Sequence, residues 1–206
     1  MRLLKKSAAF LIVVAMAAAG GASIVSASTT IDQLGSDIDG EAADDRSGSS
    51  VSLSDDGTIV AIGARYNDGN GANAGHVRLF EWDGSAWQQK GSDIDGEAEG
   101  DYSGYSVSLS SDGAIVAIGA VFNDGVNGND SGHVRVYEWD GSAWQQKGSD
   151  IDGEAAADES GLPVSLSADG SIVAIGGYLN DGNGASAGHV RLYEWDGSAW
   201  QQKGND

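Results

Sequence analysis

The sequence has no cysteine and a single proline, and its 11 lysines and arginines stand against 31 aspartates and glutamates. Without cysteine there is no covalent staple, so stability must come from burial. The formal charge of −20 repels nucleic acid and anionic lipid. It favours cations, solubility at high salt, or both. The same acid excess also serves simply to keep a glycine-rich surface solvated. Beyond the first 27 residues no apolar pattern with a 3.6-residue period runs for a useful length, which excludes a helical fold. No nucleophile stands beside a base, no GxSxG elbow occurs, and the histidines lie in no distinctive acid-rich context, so the chain reads as a non-enzyme.

The chain starts MRLLKK and runs into AAFLIVVAMAAAG, followed by small residues up to Val25-Ser26-Ala27. A basic start, a short apolar stretch and a small-residue site predict a signal-peptide helix over 1–27, cut after Ala27. An uncleaved anchor is the alternative, disfavoured by the small residues from Gly20 onward and by the absence of a following basic flank. The protein is thus expected to be secreted or at the cell surface, or periplasmic in a Gram-negative host, with no stable membrane insertion. The chain beyond residue 27 is long enough for one domain. Six tryptophans and 40% hydrophobic residues argue against disorder.

What the sequence does have is a repeat. GSDIDGEA begins at Gly35, Gly91 and Gly148, and EWDGSAWQQKG brings Trp87, Trp144 and Trp200 into register. A period of 56 to 57 residues means a modular array. The units divide as 28–46, the outer strand and acidic loop of an incomplete unit, then 47–102, 103–159 and 160–206. The middle unit reads NDGVNGNDSGHV where the first reads NDGNGANAGHV, one residue longer, which marks an exposed loop tolerant of insertion. Pro163 stands where Ser50 and Ser106 stand, at the entry of a strand.

Four strands are legible per unit. SVSLS (50–54) alternates Val51 and Leu53 with serines, the period of a strand with one larger apolar face. TIVAIGA (58–64) is apolar at almost every position, which suits a central strand covered on both faces. Asp56-Gly57 between them predicts a tight turn with positive φ at glycine. HVRLFEW (76–82) turns through Asp83-Gly84 into a more polar fourth strand. The expected fold is all-β: three four-stranded antiparallel blades of a partial, open β-propeller, plus one extra N-terminal strand. A parallel β-helix has coils too short for this period.

The units resemble FG-GAP-type repeats, the blades of integrin-like propellers. The Phe-Gly position of that family corresponds to Ser47-Gly48, Ser103-Gly104 and Ser160-Gly161, so glycine is kept and phenylalanine is not. Its Gly-Ala-Pro position corresponds to Gly63-Ala64-Arg65, Gly119-Ala120-Val121 and Gly176-Gly177-Tyr178, without the proline. Natural rings need about four to eight blades, so three leave two apolar blade faces uncovered. Self-association, another chain or a longer array is expected to cover them.

The candidate site lies in the acidic loops. Asp37, Asp39, Glu41 and Asp45 recur as Asp93, Asp95, Glu97 and Asp101, and as Asp150, Asp152, Glu154 and Asp158. Gly40 is expected to let the chain reverse, so that four hard oxygens converge on calcium, completed by carbonyls or water. The alternative is a solvated connector. In integrin-like blades the cation loop lies where this chain has only Asp56-Gly57, so the resemblance does not carry its ligands here. NDGNG at Asn67–Gly71, with its counterparts at Asn123–Gly125 and Asn180–Gly184, reads as a turn. Each of His76, His133 and His189 enters a strand in GHVR. Trp82 and Trp87 are expected to stack across a two-residue turn, with a sugar platform as the alternative. The functional expectation is a non-catalytic module for binding or adhesion to protein or glycan, ordered by calcium. The alternatives are a self-assembling structural segment and a propeller-scaffold hydrolase or lyase.

Overall fold

Each unit folds as its alternation dictates. In the computed structural model, which describes residues 32–205, the first blade is an antiparallel meander of β1 (Ser50–Leu53), β2 (Ile59–Ala64), β3 (His76–Trp82) and β4 (Trp87–Gln89). A two-residue strand, β5 (Ile94–Asp95), returns from the following connector to pair with β3. The second blade repeats this with β6 (Ser106–Leu109), β7 (Ile115–Ala120), β8 (His133–Trp139), β9 (Trp144–Gln146) and β10 (Ile151–Asp152). The third contains β11 (Ser160–Leu166), β12 (Ile172–Gly177), β13 (His189–Trp195) and β14 (Trp200–Gln202). No helix occurs among the described residues. These are the expected blades of an open propeller.

The apolar central strands are buried because their two faces serve two different interfaces. Ile59, Ala61, Val77 and Leu79 point from the first blade onto Val107, Leu109, Val116 and Ile118 of the second. Ile115, Ala117, Val134 and Val136 repeat that contact against Val164, Val173 and Ile175 of the third. Each valine, leucine or isoleucine among them stabilises the stack by roughly 1.5–3 kcal/mol when fully buried. Val60, Ile62 and Phe80, on the other face of the first blade, close instead on Ile38 of the N-terminal segment and on Trp87.

The two family glycines meet at the blade contacts. A Cβ on Gly63 would lie 2.2 Å from the Gly104 carbonyl oxygen, and one on Gly119 2.1 Å from that of Gly161. Ser50 Oγ donates to the Gly104 carbonyl at 2.7 Å and Ser106 Oγ to that of Gly161 at 2.6 Å. Gly75 and Ser103 form an isolated parallel bridge across the same boundary, as do Gly132 and Ser160. Blades therefore join by backbone contact as well as by side-chain packing.

Several details differ from the sequence expectation. The signal peptide, 1–27, lies outside the described residues. So does part of the expected N-terminal strand, and residues 32–46 form bends and turns without a strand. The counterparts of those residues pair with a preceding β3-type strand, and no such strand precedes this segment among the described residues. Asp56-Gly57 sits in a five-residue connector, 54–58, and not in a two-residue turn. There Asp56 Oδ1 accepts from Ser54 Oγ, Thr58 N and Thr58 Oγ1, and Gly57 adopts φ +70°. Trp82 and Trp87 pair across four residues with ring centroids 5.5 Å apart. Pro163 lies inside β11, beside a register shift between Ser160 and Leu162, on an edge strand where its missing N–H breaks no ladder. The inserted residue of the middle unit is Val126, exposed at a loop tip.

Candidate functional site

The opening glycine of each acidic connector is fixed by tryptophan. Gly91 adopts φ +82°, and a Cβ there would lie 2.8 Å from the Trp139 ring and 3.0 Å from that of Trp144. Trp144 Nε1 donates to the Lys90 carbonyl at 2.8 Å, and Lys90 Nζ stands 4.9 Å from the Trp139 ring centroid. The same arrangement recurs where Gly148 meets Trp195 and Trp200. The paired tryptophans thus clamp a connector, which accounts for them more directly than a sugar platform does.

The four acids of one connector do not gather at one point. Asp45 is buried, and its Oδ2 accepts from Ala42 N at 3.1 Å and Asn67 Nδ2 at 3.0 Å. Asp101 does the same with Ala98 and Asn123, and Asp158 with Ala155 and Asn180. Asn67 also accepts the Gly69 N–H at 2.8 Å, so the NDGNG turn and the last acid of the connector form one buried lock. Gly40, expected to reverse the chain, has no positive φ, and neither has its counterpart Gly96. Glycine is needed at 96 because a Cβ on Gly96 would lie 2.0 Å from the Ala74 carbonyl oxygen. β5 holds Asp95 extended opposite His76.

Glu41, His76 and Asp93 are brought together instead, from one connector, from the strand between, and from the next connector. His76 Nδ1 stands 3.8 Å from Glu41 and 3.9 Å from Asp93. Glu97, His133 and Asp150 repeat this at the same distances, and Glu154 lies 3.6 Å from His189. Ligand-type atoms of the first two trios lie within 4.8 Å of one another. Burial first, then the Arg135 charge, hold the His133 imidazole down to about 4, against the pull of Asp150 and Asp101. It is therefore neutral at pH 7. A neutral imidazole with two carboxylates is a donor set suited to zinc-like ions, whereas calcium takes oxygen.

An arginine balances each trio. Arg78 is buried, donates to the Asp39 carbonyl at 2.6 Å and lies 3.7 Å from Glu41. Arg135 and Arg191 do the same toward Asp95 and Glu97, and toward Asp152 and Glu154. Sequence reading missed these arginines. The signal was an arginine set among apolar residues in HVR. Burial pushes the Glu97 and Asp152 carboxyls up. The carboxylate that anchors the β1–β2 connector, Asp56, is held below its usual range by hydrogen bonds from Thr58 and Ser54. That connector does not fit a cation loop, since Asp56 is bonded to its own turn.

Where each acidic connector meets the following fourth strand lies a cleft of about 310 to 320 Å³. In the second blade it is lined by Ser92, Asp93, Asp95, Tyr137, Ser142 and Trp144. The clefts of the other blades repeat these positions, with Asp37 and Asp39 in one and Asp150 and Asp152 in the other. Three copies of one acidic, hydroxyl-bearing cleft run along the array.

No curated protein matches the chain. Among solved structures it is similar to hydrazine synthase of Kuenenia stuttgartiensis, at 10% identity and a TM-score of 0.45 over 75% of this chain and 34% of that one. It is also similar to a Bacteroides uniformis ATCC 8492 protein assigned as a 6-phosphogluconolactonase, at 13% identity and a TM-score of 0.45 over 74% and 39%. The chain spans between a third and two fifths of the length of these structures. The FG-GAP repeat model matches residues 37–80 and 88–137. The first two blades are thus FG-GAP-type repeats over these residues, and the third repeats their strand order.

Proposed function

We propose that the protein is an exported, non-catalytic binding module whose row of acidic clefts engages a protein or glycan partner. One observation carries this reading: the same cleft, with two connector aspartates at its wall, recurs in all three blades. Weak contacts in a linked row multiply, because each later contact is intramolecular. Export rests on the basic and apolar character of residues 1–27, and surface use agrees with the family. The acid excess favours a cationic protein segment over a neutral glycan.

The test is binding of a lysine-rich peptide and of a neutral glycan panel to the purified protein at physiological salt. Peptide binding that weakens when Asp93 and Asp95 are both changed to asparagine supports the reading. Binding that is unchanged in that variant, or absent for both probes, overturns it.

Calcium enters this proposal as a counterion of the connectors and not as the centre of a closed cage. Asp45, Asp101 and Asp158 are buried and bonded within their own connectors, which leaves each connector fewer free carboxylates toward the six to eight oxygens that calcium takes. Millimolar calcium is expected to raise Tm no more than magnesium does at equal ionic strength. A rise specific to calcium, lost in Asp39→Ala with Glu41→Ala, would instead place an ion cage at the connector.

A further inference from the structure

Two blade faces in the described chain have no blade opposite them, although Ile38 covers part of the first, and they are the two halves of a contact the chain already makes twice. On the first blade, Val51 and Leu53 are 63% and 58% exposed, while their counterparts Val107 and Leu109 are 9% and 7% exposed beneath the preceding blade. On the third blade, Val190 and Leu192 are 60% and 41% exposed, while their counterparts Val77 and Leu79 are 0% and 1% exposed. The residues that differ in exposure are the same in type and position. What differs is only whether a blade lies opposite.

We infer that a second copy of this chain docks head to tail, with the back of its third blade on the front of the first blade. Two copies supply six blades, within the range in which propellers close, and closure covers both apolar faces of both chains. The occupant is argued from continuity with an established interface. Ser52 Oγ accepts the Leu109 N–H at 3.0 Å and Ser108 Oγ the Leu166 N–H at 2.9 Å, so Ser165 of one copy is placed to accept from Leu53 of the other. The Gly75–Ser103 and Gly132–Ser160 bridges have their next members in Gly188 of one copy and Ser47 of the other. The turn bonds Asp55 N to Ser111 O and Ser111 N to Ala168 O likewise continue from Ala168 N to Asp55 O.

One bond does not carry over. Ser50 and Ser106 donate across the inner boundaries, but their counterpart is Pro163, which has no hydroxyl. The contact between copies is therefore weaker than those within a chain, as suits an association that forms after each chain has folded.

The head-to-tail geometry makes a complementation experiment decisive. The mass of the protein, in the form its host produces, is measured in solution across the micromolar range, together with Val51→Glu, Val190→Glu and their mixture. Both positions are exposed within one chain, so both variants are expected to keep the far-ultraviolet spectrum and cooperative melt of the parent. The parent is expected at twice the chain mass and each variant alone at the single mass. Their mixture is expected at twice the mass, through the intact front of one and the intact back of the other. A parent of single mass at these concentrations overturns the inference, as it would if another segment of the chain covered the front face. A Val190→Glu protein that still doubles by itself overturns the head-to-tail pairing, because only front-to-front contact could produce it.

Discussion

Gly119 and Gly84 show how two glycines of one sequence answer to different forces. Gly119 has ordinary backbone angles, but a Cβ there meets the Gly161 carbonyl oxygen at 2.1 Å, whereas Gly84 has φ +94° and open space around it. Gly119→Ala is expected to cost about 2–4 kcal/mol, because a backbone must move aside. Gly84→Ala should cost about 1 kcal/mol, the penalty of a left-handed L residue. Urea unfolding of both variants measures the difference. Glycine in the DG turns was legible from turn chemistry. The role of Gly119 was not, because a glycine inside an apolar strand records only that something comes close.

His133 gives the residue scale a pH dependence. Its folded imidazole protonates only near pH 4, whereas an unfolded one does so near its usual 6.5. Between these values the unfolded chain binds a proton that the folded chain refuses, so stability falls as pH drops from 6.5 to about 4 and then levels. The loss is on the order of 3 kcal/mol, and nothing is contributed above pH 7. Glu97 works the other way. Burial raises it, so its protonation favours the folded state as pH falls, offsetting part of the loss. His133→Gln should flatten the stability profile between pH 4 and 6.5. An unchanged profile would assign the acid sensitivity to other groups.

At the scale of the element, the connectors divide acids that lock from acids that face water. Asp101 is buried and holds Ala98 N and Asn123 Nδ2. Asp101→Ala strands both donors and is expected to cost about 1–3 kcal/mol. Glu99, exposed in the same connector, should change stability by less than about 0.5 kcal/mol when replaced by alanine. Thermal melts of the two variants make the comparison. The strands were legible because alternation and continuous apolar runs set their faces, and β3 matches its expected span at both ends. β5 was missed, since a two-residue strand has no period to read. The sorting of the acids was missed as well. An aspartate that accepts hydrogen bonds from a distant asparagine looks, in sequence, the same as one facing solvent, and Glu41 reaches His76 only because the blade between them has folded.

For the whole molecule, stability should follow the number of neighbours a blade has. In a stack whose units touch only adjacent units, the inner unit gains two interfaces and an outer one gains a single interface. β7 is buried along its full length and β8 along its first five residues, whereas β13 is exposed at Val190 and Leu192. Amide hydrogens of β7 and β8 are expected to exchange slowest, near the global unfolding free energy, and those of β12 and β13 faster through local opening. Protein concentration then separates the two sources of protection. If copies dock through the end faces, exchange in β1 and β13 slows as concentration rises through the association range, while β7 stays unchanged because its neighbours are already in place. Uniform exchange across the three blades at low concentration would mean that the stack opens as one unit, and the nearest-neighbour account would then give way to a fully cooperative one.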